Sequence, residues 1–174
     1  FDAVNVTFPI LLLRNSVLLA TEKQVKKADN LGLSWSDLFS KQSDLVNLKT
    51  KELSNFPIDF NLQKEHLQKQ FEELFEIANQ TEKSFLGAVK AQEAKQIKGL
   101  EKLEKRLLKA QKRKYSEIIE RITDLQNELF PNKSLQERQA NFSEFYLENG
   151  NDFIYKLIAT LKPLNSNFEI ITLI

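Results

Sequence analysis

Between Glu82 and Phe130 the chain carries no proline and only two glycines, Gly87 and Gly99. A stretch so free of breakers predicts one helix, which at ~1.5 Å per residue spans roughly 70 Å. Its apolar residues keep a definite period. Leu86, Ile97, Leu108, Ile119 and Phe130 recur every eleven residues, and Leu107, Ile118 and Leu129 form a second such row. Tyr115, Ile118, Ile122, Leu125 and Leu129 also fit a 3-4 heptad seam. An eleven-residue repeat corresponds to ~3.67 residues per turn, which keeps a helix nearly straight or slightly right-handed. The pattern is that of a coiled-coil arm.

The preceding helix is much shorter. Leu67, Phe71, Leu74, Phe75 and Ala78 follow i, i+3, i+4 spacing within a helix expected over Leu62–Ala78, with Glu72, Glu73 and Glu76 opposite. Asn79-Gln80-Thr81 is the one break between the two, so they are expected to run antiparallel as a helical hairpin. A helix of roughly 25 Å shields only one end of a roughly 70 Å partner. Neighbouring helices can cover part of the remaining seam, and a second copy of the arm is the simplest cover for the rest. A homodimer through the coiled coil is therefore expected.

The ends of the chain read differently. Val4, Val6, Phe8 and Ile10 alternate, Leu11-Leu12-Leu13 follow, and Val17-Leu18-Leu19 comes after the polar break Arg14-Asn15-Ser16. Such runs suit strands buried on both faces, as in a parallel sheet. Two strands do not make a stable sheet alone, so they look like the edge of something larger, and the tail from Phe168 to Ile174 can pair with them. Between these ends, Thr21 and Gln24 form a capping box with Gly32 as a C-terminal stop. Ser34 or Ser36 can start a second helix carrying Leu38, Phe39, Leu45, Leu48 and Leu53. Phe130-Pro131 ends the arm, and Ser134-Leu135-Gln136-Glu137 reads as the capping box of a helix lined by Phe142, Phe145 and Tyr146. Asn149-Gly150 closes it, and Asn151 or Asp152 caps a last helix that stops before Pro163. The expected division is a remnant of an α/β core over 1–20, connecting helices over 21–60, the coiled-coil arm over 61–131, and C-terminal helices with a return strand over 132–174. The fold class is mainly α: a long coiled-coil hairpin arm, short helices, and residual strands from the edge of an α/β, Rossmann-like core.

Composition removes several chemistries. There is no cysteine, hence no disulfide, thiolate metal site or cysteine nucleophile in this stretch. Lys and Arg number 25 against 24 Asp and Glu, a net charge of +1, which does not suit a globally basic nucleic-acid binder. Met is absent even at position 1, so a processed or excised piece is expected. The apolar run from Ile10 to Ala20 is broken by Arg14, Asn15 and Ser16 and is too short to span a bilayer, so no membrane partner is expected and the cytoplasm is the expected compartment.

Few residues point to a site. Arg14, Asn15 and Ser16 follow a buried strand, where open α/β sheets bind ligands, or they form an ordinary turn. From Lys90 to Lys114 ten basic residues face three glutamates, a net +7 that could hold phosphates. No glycine-rich loop or interleaved aromatics accompany the run, so a solvated face is the favoured reading and nucleic acid is not the expected partner. His66 reads as a helix-surface residue, Glu72, Glu73 and Glu76 as hydrated carboxylates, and Trp35 as a packing anchor. No metal site is expected.

Several segments, in order, carry a family resemblance. Phe8 to Ser16, Leu31-Gly32-Leu33-Ser34, Asp37-Leu38-Phe39, Leu103 to Lys114, Leu129-Phe130-Pro131, Leu135-Gln136-Glu137-Arg138, Gly150 to Ile154 and Leu161-Lys162-Pro163-Leu164 resemble the C-terminal part of the cysteine-adding enzymes (cysteine ligases) of bacillithiol biosynthesis. That resemblance implies a nucleotidyltransferase-like α/β core followed by a dimerising coiled coil, and addition of cysteine to glucosaminyl malate. The core's His- and acid-bearing motifs are not among these residues, so the chain is expected to begin inside the core and to be inactive alone. No cofactor is expected in this chain, and a nucleotide belongs, on that resemblance, to the intact protein. The alternative is a stand-alone coiled-coil adaptor whose basic arm binds an acidic partner or nucleic acid.

Overall fold

The computed structural model describes residues 16–162 and 167–173. The molecule is mainly helical with a small two-stranded sheet, and it divides into two compact units. One unit joins the N-terminal part through Trp35 to the part from Ile122 onward; the other is Ser36–Arg121. The early part of the N-terminal strand region, with Arg14 and Asn15, lies outside the described residues.

In the first unit, β1 (Ser16–Thr21) pairs in parallel with β2 (Phe168–Leu173), in register from Ser16 opposite Phe168 to Thr21 opposite Leu173. The tail does pair with the Val17-Leu18-Leu19 run. Leu18, Leu19 and Ala20 are buried in succession, so both faces of β1 are covered, as a parallel strand requires. Thr21 ends the strand and caps α1 (Glu22–Asn30): its Oγ1 accepts from the Gln24 N–H while the Gln24 Oε1 accepts from its own N–H. At the far end the Gly32 N–H reaches the Asp29 carbonyl and the Leu33 N–H the Ala28 carbonyl. This closing motif needs the left-handed φ of +61° that glycine adopts without strain. Both signals act as the sequence predicts.

Helix α6 (Ser116–Leu129) stops at Phe130-Pro131, again as expected, and the chain turns through left-handed Asn132 and Lys133. The predicted capping box at Ser134 does not form. Gln136–Arg138 is a 3-10 turn, and Asn141 caps α7 (Phe142–Thr160) by accepting from the Ser143 N–H. The glutamate of the would-be box is drawn away, because Glu137 bonds β1 instead. Gly150, at φ 58° and ψ −144°, interrupts α7 where two helices are expected to meet. The core of this unit gathers Leu19, Phe153, Ile171 and Leu173, with Val17, Phe145, Ile154 and Leu157 packed against them.

In the second unit, the helix expected after Ser34 is two pieces, α2 (Trp35–Leu38) and α3 (Gln42–Glu52). Lys41 between them is extended at φ −58° and ψ 135°. Short polar residues around the break, Ser36, Asp37, Ser40 and Ser43, compete with helical hydrogen bonds and favour turns. Leu38, Leu45 and Val46 are buried while Phe39 and Leu48 stay exposed, so only part of the expected apolar face is core. Helix α4 (Asn61–Ala78) then packs on α5 (Lys83–Lys114) through Phe71, Ala78 and Val89, with Leu67, Phe75 and Leu86 beside them. Phe71 near Val89 and Lys64 bonded to Glu104 show that the two helices run antiparallel.

The long helix predicted over Glu82–Phe130 is interrupted at Tyr115, which separates α5 from α6. Tyr115 sits at φ −102° and ψ 23°, yet its N–H still bonds the Gln111 carbonyl at 3.0 Å and its carbonyl accepts from Ile119 at 3.0 Å. The departure is confined to one residue whose ring lies 5.3 Å below the Lys114 ammonium. Neither proline nor glycine marks the position, so residue pattern alone does not reveal it.

Candidate functional site

The carboxyl ends of β1 and β2 open into a hollow of about 270 Å³. Thr21 and Leu173 bring the strand ends to it, α1 supplies Gln24, α6 supplies Glu128, and α7 supplies Glu144, Phe145 and Glu148. Glu128 is engaged on both oxygens, one 3.1 Å from Lys27 Nζ and the other 3.4 Å from Gln24 Nε2. Glu144 and Glu148 are exposed on the rim, so the hollow is acidic. It holds no histidine and no thiol among its lining residues. It can accept hydrogen bonds or a cation.

Gln136 forms part of its wall and does something more. Its Oε1 accepts from the Leu19 N–H at 2.8 Å, and its Nε2 donates to the Leu19 carbonyl at 3.0 Å. The side-chain amide thus satisfies one residue of β1 as a neighbouring strand would. Glu137 continues the cover, accepting from the Val17 N–H at 3.0 Å and from Ser16 Oγ at 3.4 Å. A β-edge is closed by two consecutive side chains from a 3-10 turn.

Of the predicted cluster, Arg14 and Asn15 lie outside the described residues. Ser16 is the half-buried first residue of β1, at the opposite end of the strand from the hollow, roughly 17 Å away at the rise of an extended chain. His66, Glu72, Glu73 and Glu76 are exposed on α4, and Trp35 is half-buried at the start of α2. Sequence reasoning missed Gln136 and Glu137 as edge-covering groups. The only local hint is a Gln-Glu pair between Pro131 and Asn141, and it reads equally well as a helix start.

A second polar constellation lies within the other unit. Glu104 of α5 receives Lys64 Nζ at 2.8 and 2.7 Å on its two oxygens and the Phe60 N–H at 2.6 Å. Phe60 has no side-chain cap to offer α4, and Glu104 takes over that task from another helix. It serves α4 rather than the lysines beside it in sequence. The hydrogen bond from Lys64, then that from Phe60, holds its carboxyl below the ordinary 4.5. A lowered folded pKa means that the bridge stabilises fully above the unfolded value and loses its contribution as pH falls through the folded one. Glu104→Gln is expected to cost about 1–3 kcal/mol at neutral pH, part of the charge-assisted bonding being screened by solvent. Urea unfolding at pH 7 and again below pH 4 checks this, since the difference between variant and parent should shrink in acid.

Along α5, Lys95, Lys98, Lys102, Lys105, Arg106, Lys109 and Arg113 are exposed and Lys112 is half-buried. Many of them stand three or four residues apart, and like charges at that spacing each cost roughly 0.2–0.5 kcal/mol at low salt. The solvated reading places this charge where α4 does not pack.

Comparison with known proteins decides the family. A family model described as "Bacillithiol biosynthesis BshC, C-terminal coiled-coil domain" matches residues 17–173. The chain belongs to that family. It is 66% identical over 173 residues to the "Putative cysteine ligase BshC" of Flavobacterium johnsoniae, covering 99% of this chain and 33% of that protein. The proteins of the same name from Christiangramia forsetii and Flavobacterium psychrophilum are 59% and 57% identical, over 99% and 98% of this chain and 32% of each relative. The chain thus spans about a third of the length of the curated BshC relatives it matches. Among the described residues no helix is long and apolar enough to cross a membrane.

Proposed function

We propose that this chain is the coiled-coil, dimer-forming portion of a cytoplasmic cysteine ligase that adds cysteine to glucosaminyl malate in bacillithiol biosynthesis, and that it is not catalytic alone. Family membership over residues 17–173 carries the reading. Among the described residues the sheet has two parallel strands, which supports its second half, because parallel strands are normally found in larger sheets covered on both faces. In this reading β1 and β2 extend a Rossmann-like core contributed by the rest of the protein. A nucleotide, where the intact protein uses one, binds in the core.

The dimer reading rests on apolar surface. Leu62, Leu74, Ile77, Phe85 and Leu103 are exposed on α4 and α5, while the eleven-residue row Leu86, Ile97, Leu108 and Ile119 is only half-buried. A second arm laid along this surface removes it from water. Light scattering of the full-length protein should give twice the protomer mass at micromolar concentration, and Leu103→Asp should return it to one. A cysteine-addition assay should show turnover by the full-length protein and none by the 174-residue chain. A monomeric full-length protein, or turnover by the chain alone, overturns the corresponding half of the proposal.

A further inference from the structure

The cations of α5 form a stripe. At ~100° per residue, Lys95, Lys98, Lys102, Lys105, Arg106, Lys109, Lys112 and Arg113 fall within about 120° of the helix circumference. The three glutamates of the same stretch fall outside that sector, and one of them, Glu104, points to Lys64 of α4. Val89 and Leu86, which pack against α4, lie on the far side of α5. The exposed Leu103 and Phe85 lie about 120° from the middle of the stripe on one side, and Ile97 and Leu108 of the eleven-residue row about 100–120° from it on the other, so an arm laid along either row leaves the middle of the stripe open. Among the described residues none of these eight cations forms an ion pair. Such a line of like charge is complementary to an external polyanion.

We infer that this stripe binds the phosphate backbone of a double-helical nucleic acid, without reading its sequence. From Lys95 to Arg113 the helix rises about 27 Å, which spaces the eight cations on average about 3.9 Å apart along the axis, close to the phosphate spacing of a duplex strand. One strand of a duplex carries one negative charge per ~3.4 Å of axis. The stripe has no aromatic residue for stacking on bases and no large apolar side chain between its cations. A protein partner is the poorer fit, because protein interfaces are built on apolar or aromatic anchors and are depleted in lysine. Mobile lysines suffice for phosphates, where the gain comes from releasing condensed counterions.

The test is fluorescence anisotropy of the full-length protein with labelled 20-base-pair duplexes of RNA and of DNA. If about five phosphates are neutralised, the logarithm of affinity falls with the logarithm of salt at a slope of about −4.5. Binding then weakens about 500-fold between 50 and 200 mM NaCl. The triple variant Lys98→Gln, Lys102→Gln, Lys105→Gln should flatten the slope by about 2.7, whereas Lys23→Gln with Lys26→Gln on α1 should leave it unchanged. Removing like charges relieves repulsion, so the triple variant should keep its helical circular dichroism and melt no lower than the parent. A preference for RNA or for DNA identifies which duplex is the natural ligand, and either supports the inference. It is overturned by absence of salt-dependent binding at 50 mM, or by an unchanged slope in the triple variant. It is equally overturned if polyglutamate or anionic phosphatidylserine vesicles bind as tightly as the duplexes.

Discussion

Gln136→Leu is expected to lower the stability of the chain by about 3–5 kcal/mol, the largest effect of any single polar substitution in the first unit. Leucine is close to glutamine in size, so the loss does not come from a cavity. It comes from the Leu19 backbone, which loses both partners at once: the Oε1 acceptor at 2.8 Å and the Nε2 donor at 3.0 Å. Leu19 is 6% exposed and Gln136 8% exposed, so water has little access to the orphaned groups. Each unsatisfied buried group costs roughly 1–3 kcal/mol. Gln136→Glu separates the two bonds. The introduced carboxylate still accepts from the Leu19 N–H but sets an oxygen against the Leu19 carbonyl. Protonation supplies the missing donor, and burial against the Leu19 carbonyl raises the folded-state pKa of the introduced carboxyl, so this variant should recover stability as pH falls from 7 towards about 4, the ordinary carboxyl value. Urea denaturation of parent and both variants between pH 4 and 7 checks the pair. A leucine variant as stable as the parent would show that water or a neighbouring group replaces the amide.

Phe153→Ala should cost about 3–5 kcal/mol by a different route. The Phe153 ring is 2% exposed and belongs to the cluster that joins α7 to the sheet through Leu19, Ile171 and Leu173. It also lies 5.3 Å from the Phe142 ring and 6.0 Å from the Phe145 ring, centroid to centroid, in tilted arrangements. Truncation removes the buried ring, its aromatic contacts and the packing between a helix and β2, and the surroundings collapse only in part. Phe153→Leu retains most of the apolar volume and should cost well under half as much. Thermal unfolding measures both, and hydrogen exchange should locate the loss at α7 and β2 ahead of α4 and α5. Equal losses for alanine and leucine would point to the aromatic geometry rather than the filled volume.

Much of the local structure was legible. The Thr21–Gln24 box, the Gly32 stop, the end of α6 at Phe130-Pro131 and the interruption at Gly150 all depend on residues a few positions apart, whose conformational preferences act before any packing. The extent of α4 followed from its apolar spacing and the polar break after it. The split between α2 and α3 was hidden by an apolar periodicity that continued across Lys41, although half of that periodicity stayed in water. The candidate site was the least legible part. Gln136 and Leu19 are 117 residues apart, Lys64 and Glu104 are 40 apart, and nothing in either segment names its partner.

By itself the sequence determined several helix ends, at Thr21, Gly32, Phe130-Pro131 and Gly150, which positions are apolar, and that ten cations crowd one stretch, because these follow from short-range sterics, hydrogen bonding and composition. Only the tertiary structure decided that β1 pairs with β2, that a glutamine amide and a glutamate finish the edge of β1, and that Glu104 caps a helix other than its own. It also decided which cations of α5 remain without counter-charges. Those outcomes depend on distant groups meeting where water is excluded or charge is left unbalanced, and a linear order of residues does not contain that encounter.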